Sequence, residues 1–353
     1  MDDRLLAPRM VRAPEFAPGE WLNVEQPLTR ERLLGRTVLI DFWDYTCINC
    51  IRTLPYVTSW YERYAACDFV VVGIHTPEFP FARSRTQVQS AIEEYGIRYP
   101  VLLDNEYANW DLYANRAWPT KYLIDKDGYI RYQVRGEGYY AQTEQAIQAA
   151  LRLHNPDATF PPVMEPLRPE DQPGAACYPT TPELYAGYQR GSLGNRQGYA
   201  MGSPIVYELP PARERKEPFF YAGGIWRAGP ESFSFAGQEM GRILLPYRAA
   251  GVNVVLSPSA DPVEVSLNLR PAGVEPRVEV FQDGQPLTPE NAGDDILYDD
   301  GGITYILVDR PRMYELVRNP DYGAHELELI FRANGLALYS FTFTSCVLPG
   351  SPE

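Results

Sequence analysis

Residues Thr37–Trp43 (TVLIDFW) run within four residues into Cys47-Ile48-Asn49-Cys50 and then into a stretch of helical periodicity. This junction restricts the fold more than any other feature of the chain. An apolar run of this length with one charge reads as a strand buried on both faces, in a sheet covered by helices. From Cys47 to Ala66, Ile51, Leu54, Val57 and Tyr61 fall on one face of a helix, and Pro55 is expected to kink it. The C-x-x-C therefore opens a helix straight after a buried strand. Free N–H groups and partial positive charge at a helix N-terminus stabilise a thiolate, so a lowered pKa is expected at Cys47. Cys50 lies one turn further in, placed to displace a mixed disulfide.

The remaining cysteines are Cys67, Cys177 and Cys346. Five cannot all pair, and their spacing is not that of a small disulfide-stapled fold, so one reactive pair and three ordinary side chains in a reduced compartment are expected. Zinc would need two further ligands, and no histidine follows at finger spacing. Neither metal nor cofactor is expected.

Apolar runs and helical patterns alternate through the first 154 residues: strands at Asp68–His75, Tyr99–Asp104, Trp118–Asp125 and Tyr129–Arg135, helices at Thr86–Tyr95 and Ala141–Leu153. Asp127-Gly128 marks a hairpin turn. Residues 155–182 then carry Pro156, Pro161, Pro162, Pro166, Pro169, Pro173, Pro179 and Pro182, which reads as an extended linker or wrapping arm. Short alternating runs follow at Arg242–Tyr247, Val252–Ser257, Val263–Arg270, Arg277–Phe281, Ile303–Val308, Met313–Val317, Glu326–Phe331 and Leu336–Thr344. Their turn signals, at Asp283-Gly284, Asp300-Gly301 and Asn334-Gly335, suit a β-sandwich or jelly roll. The expected organisation is an α/β domain over 1–154, a linker over 155–182 and an all-β domain over 183–353.

Lys and Arg number 32 against 46 Asp and Glu, a net charge of −14 without a compensating basic cluster. That field repels phosphate backbones and anionic lipid, which argues against nucleic-acid and membrane-surface partners. The chain opens on Met1-Asp2-Asp3-Arg4 and contains no long uncharged apolar run, so as written neither an export signal nor a membrane span is expected, and a cytoplasmic location follows.

Around the cysteines the chain resembles the thioredoxin superfamily. Asp41-Phe42-Trp43, Cys47, Cys50 and Pro55 keep the thioredoxin spacing from buried aspartate to helix proline, and Trp118-Pro119-Thr120 is similar to the cis-proline loop that faces the dithiol in that fold. Further matches, including His75-Thr76-Pro77-Glu78-Phe79 and Gly136-Glu137-Gly138, resemble the TlpA/DipZ-type redoxins and the thioredoxin-like domain of NHL-repeat proteins. Trp226, Arg312, Tyr314 and Tyr339–Phe343 resemble the galactose-binding-like β module of DipZ proteins. The resemblance implies a thioredoxin fold followed by a β-sandwich, and a thiol:disulfide oxidoreductase acting on protein thiols, more as reductase than oxidase.

In this reading Cys47 attacks, Cys50 resolves and Asp41 is the buried acid that takes the resolving proton. Trp118 and Pro119 present a backbone edge to the client, with Glu137 and Tyr45 as neighbouring contacts. DipZ proteins carry a membrane-embedded electron-delivery domain ahead of the redoxin domain, so the electron donor here is unidentified and an extracytoplasmic location is the alternative. Asn49 stands where thioredoxin has proline, so thioredoxin's potential does not carry over.

Other readings compete. Asp41 could be paired with Lys121 under the sheet, His75 reads as a surface or hydrogen-bonded strand-end histidine, and Glu137 could be a solvated loop residue. Thr46-Cys47 could belong to a peroxiredoxin-like peroxidase, but the second cysteine at 50 favours disulfide exchange. Gly136-x-Gly138-x-x-Ala141 matches a dinucleotide fingerprint without the βαβ continuation it requires. Asp294, Asp295, Asp299 and Asp300 miss calcium-loop spacing and read as a solvated turn. Trp226, Tyr221, Phe233 and Phe235 either stack on sugar rings, making the second half a glycan-binding module on a redoxin scaffold, or fill a core.

Overall fold

The computed structural model describes residues 5–267 and 275–347. The chain divides into two units, Met1–Asp171 and Gln172–Glu353.

In the first unit, β1 (Trp21–Leu22) and α1 (Arg30–Leu33) lead into β2 (Thr37–Trp43), α2 (Ile48–Arg63), β3 (Phe69–His75) and α3 (Arg85–Glu94). Then come β4 (Val101–Leu103), α4 (Ala108–Leu112), β5 (Thr120–Ile124), β6 (Ile130–Arg135) and α5 (Tyr140–Arg152). The sheet order is β1-β4-β3-β2-β5-β6, with β2, β3 and β4 mutually parallel and β5 and β6 antiparallel, the arrangement of a thioredoxin fold. Side chains alternate between faces of a strand, so Val38, Ile40 and Phe42 of β2 join Val72, Ile74 and Tyr122 in one core, while Leu39, Asp41 and Trp43 point to the other face. Gly73 lies opposite Asp41 in β3, where a β-carbon would stand 3.0 Å from both the Trp43 indole nitrogen and the Tyr99 ring. Helix α2 continues through Pro55 to Arg63.

Residues 155–171 lie along this unit. Gln148 and Arg63 donate to the carbonyls of Pro161 and Pro162, the Met164 N–H donates to Glu144 at 2.8 Å, and the Leu167 N–H donates to the Tyr56 hydroxyl at 2.7 Å. A proline-rich strap cannot pair with itself as a sheet does, and here side chains of α2 and α5 supply its partners.

The second unit is built from β7 (Ala176–Cys177), β8 (Leu184–Tyr185), β9 (Pro204–Tyr207), β10 (Tyr221–Ala228), β11 (Phe233–Phe235) and β12 (Gly241–Ser257). After α6 (Pro262–Ser266) follow β13 (Arg277–Gln282), β14 (Gln285–Pro286), β15 (Leu297–Tyr298), β16 (Thr304–Leu307), β17 (Arg312–Phe331), β18 (Ala337–Thr344) and β19 (Cys346–Val347). The first part of β12 pairs with β10 and β17, its last part with β17 and β18, and β11 joins β10 to β18. β12 thus keeps β17 as a partner along almost its whole length and exchanges β10 for β18 as its other partner. Trp226 is central to the core, stacked on Phe233 at 5.1 Å and edge-on to Phe331 at 5.0 Å.

Three expectations change here. The run at Val263–Arg270 is not a strand: Asp261 caps α6 through the Val263 N–H and Pro262 occupies its first turn, while residues 268–270 lie outside the described residues. Cys177 and Cys346 are not ordinary side chains, since they form a disulfide between β7 and β19 across 169 residues of sequence. Trp226, Tyr221, Phe233 and Phe235 are all buried, so they offer no face to a sugar ring. The acidic turns of this unit are ion-paired: Asp294 with Arg318, Asp295 with Arg312 and Asp299 with Arg277.

Candidate active site

Strand β2 delivers the chain to the dithiol. Cys47 is the N-cap of α2, and its sulfur accepts the Cys50 N–H at 3.4 Å, using one of the orphan donors of the first turn. Both thiols are free; Cys47 is partly exposed and Cys50 buried. The two free thiols therefore stand one helical turn apart.

The electrostatics differ from the sequence expectation. Hydrogen bonds from Cys50 favour the Cys47 thiolate, but burial and the carboxylates of Glu78 and Asp44 outweigh them, and the Cys47 pKa is raised. Cys50 is pushed up further by burial, by Cys47 and by Asp41, against a hydrogen bond from the Asp44 backbone. A helix N-terminus alone does not make a low-pKa thiol when two carboxylates share its surroundings.

Asp41 lies beneath Cys50. Its carboxylate is buried, neither oxygen has a hydrogen-bond partner among the described residues, and burial raises its pKa to about 7, opposed by Lys121. Lys121 faces Asp41 across the β2–β5 ladder and is itself buried, with its Nζ 3.4 Å from the Gly136 carbonyl. The two readings of Asp41 thus meet: it has a cationic neighbour, yet it forms no close ion pair and titrates near neutrality.

Trp118-Pro119 is a cis peptide bond. Because Phe42 pairs with Thr120, continuing the antiparallel register sets Pro119 and Trp118 beside the end of β2 and the turn that leads to Cys47. The Trp118 indole donates to the Thr76 carbonyl at 2.9 Å, and the Thr76 N–H donates to the Trp43 carbonyl at 3.1 Å, tying this loop to the ends of β2 and β3.

Two expected contacts are placed differently. Glu137 is half-buried and lies 3.4 Å from Arg52 of α2 and 3.7 Å from Arg168 of the strap, so it is ion-paired at a partly exposed position. Tyr45 is 3% exposed and stacks on His75 with ring centroids 5.6 Å apart, which takes it out of reach as a surface contact. His75 is not a surface histidine: it is buried, and desolvation drives its pKa down to about 3.

Sequence reasoning passed over Asp44, a buried carboxylate three residues before Cys47. An acid closing a strand beside a nucleophile was the available signal.

A family model described as "AhpC/TSA family" matches residues 11–133, and one described as "Thioredoxin like C-terminal domain" matches residues 181–344. The chain is 32% identical over 326 residues to Protein DipZ of Mycobacterium tuberculosis, an alignment covering 92% of this chain and 41% of that protein. The chain thus spans under half the length of that relative. It is 32% identical over 120 residues to Thiol-disulfide oxidoreductase YkuV of Bacillus subtilis, covering 33% of this chain and 79% of YkuV. It is 33% identical over 129 residues to NHL repeat-containing protein 2 of Homo sapiens, covering 36% of this chain and 18% of that protein.

Proposed function

The chain belongs to the thioredoxin superfamily, as a redoxin of the TlpA/DipZ type, and on that premise we propose that it is a thiol:disulfide oxidoreductase that reduces disulfides in client proteins. The observation that carries this reading is the pair of free thiols one turn apart at the head of α2, above a buried carboxylate that titrates near pH 7. Cys47 attacks a client disulfide, forming a mixed disulfide and releasing the distal client sulfur as a thiol. Cys50 then gives its proton to Asp41 and attacks Cys47, which releases the second client thiol and leaves a Cys47–Cys50 disulfide. An unidentified donor re-reduces that disulfide. Trp118 and Pro119 offer the client a backbone edge in the manner of strand addition.

The raised pKa values support the reducing direction. Strong oxidants of this chemistry stabilise their reduced form, whereas here the surroundings of Cys47 disfavour the thiolate. The Cys177–Cys346 bond supports an oxidising compartment over the cytoplasm. Among the described residues no helix is long and apolar enough to cross a membrane.

The test is trapping. Cys50→Ser is expected to accumulate mixed disulfides with client proteins through Cys47, releasable by dithiothreitol, and Cys47→Ser is expected to trap almost none. Equal trapping by both, or turnover of a model disulfide surviving in Cys47→Ser, contradicts the mechanism.

A further inference from the structure

Asp44 closes β2 and begins the turn that presents the dithiol. Its side chain is fully buried. Oδ1 accepts the Thr46 N–H at 2.6 Å and the Thr46 hydroxyl at 2.5 Å; Oδ2 accepts the Glu78 N–H at 2.9 Å and lies 3.7 Å from His75 Nε2. Its main chain meets both cysteines: the carbonyl accepts the Cys47 N–H at 3.3 Å, and the N–H bonds to the Cys50 thiol. One residue thus joins the β2–α2 turn, the loop after β3 and the two reactive groups.

The charge on this residue bears on the chemistry. Its partners are Thr46, Glu78 and His75, and a histidine held neutral by burial supplies no countercharge. Burial pushes the Asp44 pKa up, while the Thr46 hydroxyl and the Glu78 and Thr46 amides act in favour of its charged form, and charge held there, beside a group that must ionise to react, opposes the first step. For turn-building alone, a neutral acceptor would serve. The charged groups facing the dithiol are Asp44 from the turn, Glu78 from the loop after β3, and Asp41 and Lys121 from the sheet below Cys50.

We propose that Asp44 is a positioning residue for Cys47: through Thr46, the Glu78 amide and the Cys47 N–H it folds the turn that presents the nucleophile, and the carboxylate buried in that turn, together with Glu78, keeps Cys47 slow toward small free electrophiles until a client disulfide is docked. The proposal deepens the oxidoreductase reading and rests on it for the client step alone. In that step Cys47 loses its proton to solvent, its sulfur bonds to the proximal client sulfur, and the client S–S bond breaks with the distal sulfur leaving as a thiolate that takes a proton back from solvent. A thiolate suppressed by a neighbouring charge gains most from alignment along the cis-proline edge, because alignment raises the rate without requiring a larger free thiolate population.

The experiment is alkylation of the reduced full-length protein with iodoacetamide across pH 6–10, scored at the Cys47 peptide by mass spectrometry so that Cys67 does not contribute. Wild-type Cys47 is expected to show a midpoint above that of a free thiol, about 8.5. Asp44→Asn, which keeps an oxygen acceptor and removes the charge, is expected to lower the midpoint and to raise the rate at pH 7 by up to about threefold, since nucleophilicity falls with pKa while the thiolate fraction rises. Asp44→Ala is expected to lower the midpoint as well. A wild-type midpoint at or below the free-thiol value overturns the proposal without any variant. So does an Asp44→Asn profile that matches wild type while only Asp44→Ala changes, which would leave Asp44 a turn-builder. The alkylation needs no client: if Cys50→Ser traps nothing while the profiles shift as expected, the oxidoreductase reading fails and the charge effect on Cys47 stands.

Discussion

The dithiol end of the first unit and the acidic turns of the second treat carboxylates in opposite ways. Asp41 and Asp44 are buried and, among the described residues, one has no hydrogen-bond partner and the other no Lys or Arg among its partners. In the β unit, Asp295 takes Arg312 at 2.7 Å and the Glu315 N–H at 2.8 Å, Asp299 takes Arg277 at 2.6 Å, and Glu326 takes Arg215 at 2.7 and 2.8 Å. Paired acids settle structure. Acids left short of partners keep free energy available for proton transfer, and such groups are where a mechanism is to be sought.

The largest test of this contrast is the pH dependence of stability. Asp41 has a folded pKa near 7 against an ordinary carboxylate in the unfolded chain, so the unfolded state releases its proton first as pH rises. Stability from this group is fully present below about pH 4, falls up to about pH 7 and is then constant, a loss on the order of 4 kcal/mol with the opposing effect of Lys121 included. The buried His75, with its folded pKa near 3, makes stability rise up to about pH 6.5 and so opposes Asp41 in wild type. Asp41→Asn is therefore expected to gain more stability over wild type at pH 8 than at pH 5 in denaturant titrations. Mixed-disulfide resolution in the Asn variant, followed by stopped flow, should slow about tenfold or more and lose part of its pH dependence. A variant with unchanged pH dependence and rates would place Asp41 among the structurally paired acids.

The two cysteine pairs provide the next test. Cys177→Ser with Cys346→Ser opens a closure over 169 residues and should cost about 2–4 kcal/mol in denaturant stability, leaving turnover of a model disulfide within about twofold. Lost turnover would mean that the second pair takes part in the redox chemistry.

Smaller effects are expected in the β unit. Arg312→Ala removes a partly buried partner of Asp295 and a guanidinium 3.8 Å from the Tyr314 ring centre, and should lower stability by about 1–3 kcal/mol with turnover unchanged. Arg318→Ala, at an exposed pair, should stay within about 0.5 kcal/mol. If Arg318→Ala proves the costlier of the two, burial is not what ranks these pairs.

Much of the first unit was legible because its signals are local. A continuous apolar run is a buried strand wherever it falls, and Asp125-Lys126-Asp127-Gly128 turns because Asp125 accepts the 127 and 129 amides while Gly128 takes φ +83°. The short pieces β1, α1 and α4 have too few residues to show a period. In the second unit, Arg242–Tyr247 and Val252–Ser257 read as two strands but are one, as are Met313–Val317 and Glu326–Phe331, because register shifts between Ala249 and Asn253 interrupt the alternation without ending the strand. At the site, spacing and resemblance single out Cys47, Cys50, Asp41 and the Trp118-Pro119 loop, and the β2–β5 register sets that loop beside the end of β2. Tyr45 and His75 were misplaced because neither name carries its burial.

By itself, then, the sequence determined an α/β unit with a dithiol at a strand-to-helix junction, followed by an all-β unit, since periodicity and turn chemistry act over a few residues. Only the tertiary structure decided that Lys121 lies across from Asp41, that Asp44 gathers Thr46, His75 and Glu78 beside the nucleophile, that the strap closes on α2 and α5, and that Cys177 meets Cys346. Each of these depends on strand order and register, which bring together residues far apart in the chain. The charge and burial of a thiol or carboxylate are set by those neighbours, so its protonation is a property of the fold and not of the motif.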